Sequence, residues 1–448
     1  MAKRKAVTGS GIINTIVAAV NKVAEPQLPF VNKETFGDFA HQLAQAPDTV
    51  QNLFMTDLVN LGWYQRFKAM RQYEGMFRRL YGEDILEDQM VVYATDTLKA
   101  RAYDPDDAQR FLESHPLRVG QQFIQSSLKR QYQFSTIEDV ITAIGQGEGY
   151  FLSFYNNAVT AMWNSFEHDN NVAIKEMINK QAKEGNLRLV PVAVPTNQAS
   201  VLAMKVEVDT ISSDWESDLT REYNVAGYNT HTPNDELFYL FNNRINALNE
   251  NYNLAWAFNE QYLDLKKDGR AIVMDSKALA DGAIYAAVFD RTAFEIHNRV
   301  GHPRVTAFFN PATLEDERIL TCFTLFGMNL FANSAWFIDP NKVGIEAMTL
   351  ATRSGSTNAN PGDVVEIYVD SITATSGKYA DKFGKFSLHD VTVTDPNTYI
   401  DPDSGELYLG ANETGVELDG LEGKYVRAYC FSHLDENVYG EILIKINQ

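Results

Sequence analysis

Residues 149–184 read GYFLSFYNNAVTAMWNSFEHDNNVAIKEMINKQAKE. The stretch opens behind a glycine-broken run, Gly145, Gly147 and Gly149, and closes on Gly185-Asn186, a pair that stops helices. No proline interrupts it. Phe151, Phe154, Tyr155, Ala158, Met162 and Phe166 recur at helical spacing, so one face is apolar. At about 1.5 Å per residue the helix would be roughly 50 Å long, beyond the span of most helices in compact enzyme domains. LRLVPVAVP (187–195) follows at once and reads as a strand. A long helix laid across a sheet, with arms to both sides, is a shape for tiling copies rather than for enclosing a substrate.

On the N-terminal side, residues 1–62 read as a mobile arm with short helices near 35–45 and 48–61. Ile12, Ile16, Ala19, Val20 and Val23 form the apolar face of a first short helix. The basic, apolar start suggests a signal peptide, but Asn14 and Asn21 interrupt it and no small-residue cleavage site follows. Thr35 and Asp48 are placed to cap the next two helices. Residues 63 to about 134 are polar with alternating charge, RFKAMRQYEGMFRRLYGEDILEDQ (66–89) and KARAYDPDDAQRFLESHPLRVG (99–120). Such an excursion inside a globular chain suits an extended loop or hairpin that reaches over another copy. Arg78 and Arg79 against Glu83, Asp84, Glu87 and Asp88 could pair across an interface or simply lie on the surface. A Ser-x-x-Glu box at Ser135 and Glu138 predicts one more short helix.

On the C-terminal side, LRLVPVAVP and SVLAMKVEV (200–208) are expected as strands. Residues 209–300 mix helix and strand. PRVTAFF (303–309) and ERILTCFTLFGMNLFANSAWF (317–337) are apolar enough for central strands. ATRSGSTNANPGD (351–363) is small and polar and reads as a linker. Beyond it come about seven short strands, with Val426, Ala428 and Cys430 alternating, and likewise Ile442, Ile444 and Ile446. That pattern predicts an immunoglobulin-like sandwich over 364–448. From Asp363 onward 16 acidic residues face 6 basic ones, half of the whole net charge of −20. An acidic sandwich on a flexible tether is expected out in solvent.

The chain has 448 residues, 45% of them hydrophobic, enough for two or three domains with real cores. A net charge of −20 argues against wrapping nucleic acid with the whole surface. The two cysteines, Cys322 and Cys430, sit in apolar runs and read as buried free thiols. No stretch is long enough to span a membrane. No Walker loop, GxSxG, HExxH or CxxC occurs, and TGSGI (8–12) lacks the lysine of a phosphate loop. His297 and His302 lack a third metal ligand. Asp214, Glu216 and Asp218, or Glu315, Asp316 and Glu317, could supply a carboxylate pair, but such clusters usually lie in exposed loops. Asp401 to Glu406 approximates a calcium loop with its glycine one place early, and reads as a turn between strands. The expected catalytic, cofactor-binding and metal residues are therefore none, and the expected cofactor is none. Structure or binding is the class indicated.

The order of parts resembles a tailed-phage major capsid protein, and more narrowly those of small short-tailed phages of the Picovirinae type. The residues that carry the likeness are ELFYLFNNRINALNENYNLAWAFN (236–259), AIVMDS (271–276), AAVFDRTAFEIHN (286–298) and FGMNLFANSAWF (326–337). The resemblance implies an α+β, Hong Kong 97-like fold plus the C-terminal β-sandwich. It divides the chain into an N-terminal arm (1–62), an extended loop (63–125), a peripheral domain with the spine helix (126–208, completed by return strands at 301–350), an axial domain (209–300), the linker (351–363) and the sandwich (364–448). It implies a non-enzymatic shell subunit, self-assembling into pentamers and hexamers of an icosahedral head in the virion. Implied partners are a scaffolding protein, a portal at one vertex and weakly held double-stranded DNA, with no membrane and with assembly in the host cytoplasm. The lysine–asparagine crosslink of some relatives is not assignable here. The alternative is a tail or surface adhesin whose sandwich binds glycan, with a carboxylate-based glycoside hydrolase a distant third.

Overall fold

The computed structural model describes residues 9–32, 34–69, 75–98, 117–134, 144–245, 247–248, 270–275, 277–302, 304–310 and 315–447. The chain divides into two compact units, one of residues 1–88, 125–174 and 296–326, the other of residues 89–124, 175–295 and 327–448. The helices described are α1 (Gly9–Val20), α2 (Phe36–Gln45), α3 (Asp48–Ala69), α4 (Glu148–Glu184) and α5 (Gln198–Ser217). The first strands are β1 (Met90–Thr95), β2 (Val119–Ile124), β3 (Ser127–Phe134), β4 (Arg188–Pro191), β5 (Leu237–Asn242) and β6 (Ala271–Met274). They are followed by β7 (Ile284–Asp290), β8 (Phe294–Asn298), β9 (Arg304–Asn310), β10 (Glu315–Met328) and β11 (Ser334–Ile338). The architecture is α+β.

Helix α4 is one continuous element of 37 residues. Trp163, Phe166, Ile174, Met177, Ile178 and Ala182 are buried at helical spacing. Its end follows from Gly185, at φ 75°, and from the Asn186 N–H donating to the Gln181 carbonyl at 3.0 Å, a Schellman closure.

In the first unit, α1 to α3 pack together rather than forming a mobile arm. Ile12, Ile13, Ile16, Val17 and Val20 join Phe36, Phe39, Leu43, Val50, Phe54 and Leu58 in one core. The two asparagines that interrupt the apolar run fasten the turn after α1. Asn14 accepts from Val31 N–H and donates to its carbonyl, and Asn21 does the same with Leu28. Burying that apolar stripe against two helices is worth more than its solvation as a tail, hence the departure from expectation. Val23 falls outside the core, 77% exposed. The helix expected at 135–138 lies outside the described residues. A sheet in the order β3-β10-β8, with β9 on β10, completes the unit, and Trp163 and Phe166 pack with Leu320 and Cys322.

The second unit is built on a mixed sheet, β4-β11-β7-β5-β6, in which β4 runs parallel to β11 and β6 to β5. Every residue of β5, β7 and β11 is buried. One face packs on α5 through Met204, Val208, Ile211 and Trp215. On the other, Phe238, Phe289, Phe294 and Trp336 form stacked and edge-on ring contacts of 4.8–6.4 Å. Helix α5 corrects the strand expected at 200–208. Asn197 and Ser200 form a reciprocal capping box, and Val201, Met204, Val208, Ile211 and Trp215 bury at helical spacing. The β-branched residues that suggested a strand thus lost to capping and to the sheet beneath.

The remaining strands are β12 (Ile345–Thr352), β13 (Asn358–Ala359), β14 (Val364–Ala374), β15 (Gly384–Leu388), β16 (Tyr399–Ile400), β17 (Glu406–Tyr408), β18 (Val416–Glu417), β19 (Lys424–Ser432) and β20 (Tyr439–Ile446). They form a two-sheet sandwich, β12-β14-β17-β16 against β13-β20-β19-β15. The alternation read in 426–430 and 442–446 is the inward face of β19 and β20. Residues 345–363 belong to this sandwich instead of ending a preceding domain and forming a linker. Ile345, Met348 and Ala359 lie in its core, β12 pairs with β14, and β13 pairs with β20. The small polar run holds the end of β12, a turn and the short strand β13.

A clasp on buried Glu413 closes the sandwich loops. Its carboxylate accepts from Thr394 Oγ1 (2.5 Å), Thr398 Oγ1 (2.6 Å), Gly415 N–H (2.8 Å) and Asp395 N–H (3.1 Å). Burial pushes this acid up, but the donors outweigh it and bring it down to about 2 from the ordinary 4.5.

Candidate assembly surfaces

Strands β1 and β2 form an antiparallel hairpin pair, with Met90 opposite Ile124 and Thr95 opposite Val119. Side chains alternate across such a ribbon. Gly120, Gln122 and Ile124 turn one way. Gly120 lies where an added Cβ would sit 2.6 Å from the Phe331 ring, and Ile124 is buried against Gly327. Val91, Tyr93, Val119 and Phe123 share the opposite face, and Tyr93, Val119 and Phe123 are 66%, 57% and 55% exposed. Leu98 and Leu117 are exposed too. A ribbon face this apolar in solvent marks an interaction surface.

The root of the hairpin is anchored. Arg118 donates to Asp96 (3.2 Å) and to the carbonyls of Gly227 (2.8 Å) and Ala226 (3.2 Å), and its guanidinium covers the Tyr228 ring at 4.2 Å. Arg221 bridges Asp96 (3.2 Å) and Asp401 (3.4 Å). Gln122 holds the Met328 carbonyl (2.7 Å) and the Leu330 N–H (2.9 Å). These residues went unnoticed in the sequence, because their partners lie over a hundred positions away in most cases and leave no local pattern.

The sandwich is not on a tether. Within the second unit, buried Asp381 accepts from the Leu189 N–H of β4 (2.8 Å) and contacts His433 Nε2 (2.7 Å). Lys382 N–H donates to the Gly185 carbonyl at 2.9 Å. Lys385 lies between Glu222 and Asp403. Burial works against these charges, yet the pairing lowers Glu222 and raises Lys385 from their ordinary values. Arg118 reaches Glu366 at 3.6 Å. Backbone hydrogen bonds and ion pairs together fix the sandwich against the strands beside it.

The chemistry-bearing residues of the sequence are dispersed. Asp214 and Glu216 end α5, and Asp218 is its C-cap. Glu315, Asp316 and Glu317 start β10, opposite Asn310, Phe309 and Phe308 of β9. His297 Nδ1 contacts the Glu83 carbonyl (2.8 Å) and His302 Nδ1 the Thr321 carbonyl (3.3 Å). Arg78 faces Glu167 of α4 at 3.8 Å rather than the nearby acidic run. Asp401 Oδ1 accepts from Asp403 and Ser404 N–H, an Asx turn between β16 and β17. TGSGI runs into α1. Cys322 and Cys430 are free and buried, and burial pushes both thiols up to about 12. Among the described residues no group of three His, Cys, Asp or Glu is placed to hold a metal, and no helix is long and apolar enough to cross a membrane.

Residues 13–338 match the family model of the Phi29-like phage major capsid protein. The major capsid protein of Bacillus phage GA-1 is 24% identical over 338 residues, 73% of this chain and 69% of its own length. That of Bacillus phage B103 is 22% identical over 335 residues, 74% of this chain and 73% of its own. Among solved structures, a capsid chain of Staphylococcus phage Andhra aligns over 60% of this chain and 86% of its own at 12% identity and a TM-score of 0.41. The sandwich, from Ile345 onward, lies beyond the residues the family model matches.

Proposed function

The chain belongs to the Phi29-like phage major capsid protein family, and from that premise we propose how its surfaces divide the work of building a shell. It is a major capsid protein, a structural subunit of the phage head, and its place is the virion. The observation that carries this is the family match over 13–338. Self-assembly gives the exposed ribbon face its reason: Val91, Tyr93, Val119 and Phe123 are covered by a neighbouring copy in the shell.

In this reading residues 63–125 are the extended loop, 126–208 with 301–344 the peripheral domain around α4, and 209–300 the axial domain. Residues 1–62 make intersubunit contacts at the inner wall, and the immunoglobulin-like sandwich begins at Ile345. The subunit works without catalysis and without a cofactor. A scaffolding protein, a portal at one vertex and loosely held double-stranded DNA are its further partners, met in the host cytoplasm. The net charge of −20 supports the loose hold on DNA, since an acidic wall neither condenses nor traps a polyanion. An adhesin role for the whole chain is not what the family match favours.

The test is to replace residues 98–117 with Asn-Gly, which keeps Asp96 and Arg118 at the root. The variant should unfold at the wild-type temperature yet give no closed particles by negative-stain microscopy when made with the phage's scaffolding protein. Closed particles from this variant would remove the loop assignment.

A further inference from the structure

A cavity of about 400 Å³ opens within the second unit, bounded by the turn after α4, the loop at 221–227, and strands β14 and β15 of the sandwich. Its charge runs against that of the chain. Arg118, Arg188, Arg221, Arg353, Lys382 and Lys385 line it, against the carboxylates of Glu222, Asp370 and Asp403, in a protein of net charge −20. Four of these cations are answered by carboxylates. Arg118 and Arg221 share Asp96, Arg353 meets Glu366 at 3.2 Å, and Lys385 meets Glu222 and Asp403.

Arg188 and Lys382 are not answered. Neither makes a side-chain ion pair among the described residues, and the Nε of Arg188 is buried without an acceptor. The Arg188 guanidinium is held instead between rings, 5.3 Å from the centroid of Phe383 and 5.9 Å from that of Tyr223. Aromatic faces orient a guanidinium and leave its donor fork free. A desolvated donor with no acceptor is a standing cost. Phe331 and Phe386 add apolar wall. The volume lies in the range of small-molecule sites, roughly 300–1,000 Å³, and exceeds what a bare inorganic anion fills.

We propose that this cavity binds a small organic oxyanion, a phosphate or carboxylate carried on a planar or apolar body, gripped by the Arg188 fork with Lys382 as the second cation. The site is independent of the assembly reading. Because its walls come from both the sandwich and the strands beside it, an occupant would also fasten the two together, and binding would stabilise the unit by mass action.

The experiment is calorimetric titration of the full-length chain with adenosine monophosphate, citrate and inorganic phosphate, with thermal unfolding run alongside. The organic anions should bind saturably and more tightly than inorganic phosphate and raise the unfolding temperature. The two organic probes separate phosphate from carboxylate preference. Arg188→Gln should weaken binding by about tenfold or more, the loss of one charge-assisted bidentate contact. Arg130→Gln, at an exposed arginine of the first unit, should leave binding unchanged. Lys382→Ala keeps the question open to test if Arg188→Gln folds poorly, and should weaken binding as well. Absence of saturable binding to the wild-type chain would overturn the proposal. So would wild-type affinity in the variants that fold, or inorganic phosphate binding as tightly as the organic probes.

Discussion

The five-stranded sheet and the β1–β2 hairpin belong to the same unit, yet they treat apolar side chains in opposite ways. In β5, β7 and β11 every residue is buried, with α5 on one face and an aromatic layer on the other. In the hairpin one face is packed and the other presents Tyr93, Val119 and Phe123 to solvent. The sheet satisfies itself within one chain. The hairpin leaves its apolar face uncovered. On the proposed assembly reading, folding stability and assembly are lodged in separate residues, and substitutions can tell the two apart.

The largest effect is expected in the sheet. Trp336 is fully buried between Phe289 and Phe294, and Trp336→Ala should cost about 3–5 kcal/mol in denaturant unfolding. A cost under about 1 kcal/mol would mean the aromatic layer is not a packed core. Next comes the Glu413 clasp, where Glu413→Gln should destabilise by about 1–3 kcal/mol by unbalancing the donors that converge on it. Its pH dependence has a definite sign. The folded carboxyl sits at about 2, below its ordinary 4.5, so its contribution is present above pH 4.5 and lost as pH falls toward 2. Acid titration of unfolding should show that slope in the wild type and a shallower one in the glutamine variant. Smaller still, Asn197→Ala removes the cap of α5 and should cost about 1 kcal/mol. Finally, Phe123→Ser should shift stability by less than about 0.5 kcal/mol while reducing the yield of shells counted by microscopy. A variant that loses stability but still assembles would reverse the comparison between sheet and hairpin.

Much of the organisation was legible in linear sequence. The 149–184 helix, its stop at Gly185, and the inward alternation of β19 and β20 rest on local rules of spacing and chirality. The misreadings have a common origin. SVLAMKVEV looks like a strand by composition and became a helix because Asn197 caps it and its apolar residues meet a sheet three to four positions apart. ATRSGSTNANPGD looks like a linker but contains a strand, because β13 within it finds β20 nearly ninety residues later. The N-terminal arm became a helical core because the next two helices, α2 and α3, cover the apolar face of α1.

The order of parts, the acidic balance and the lack of a catalytic motif were properties of the sequence itself, and they sufficed to point to a shell subunit. Only the tertiary structure decided which apolar faces are covered and which are left open, where the sandwich begins, and that it is bound to its neighbours through Asp381 rather than tethered. It alone brought Arg188 and Lys382 to the lining of one cavity. The reason is physical: spacing along the chain governs what a residue can form with its next four neighbours, whereas burial and charge pairing depend on partners that only folding brings near.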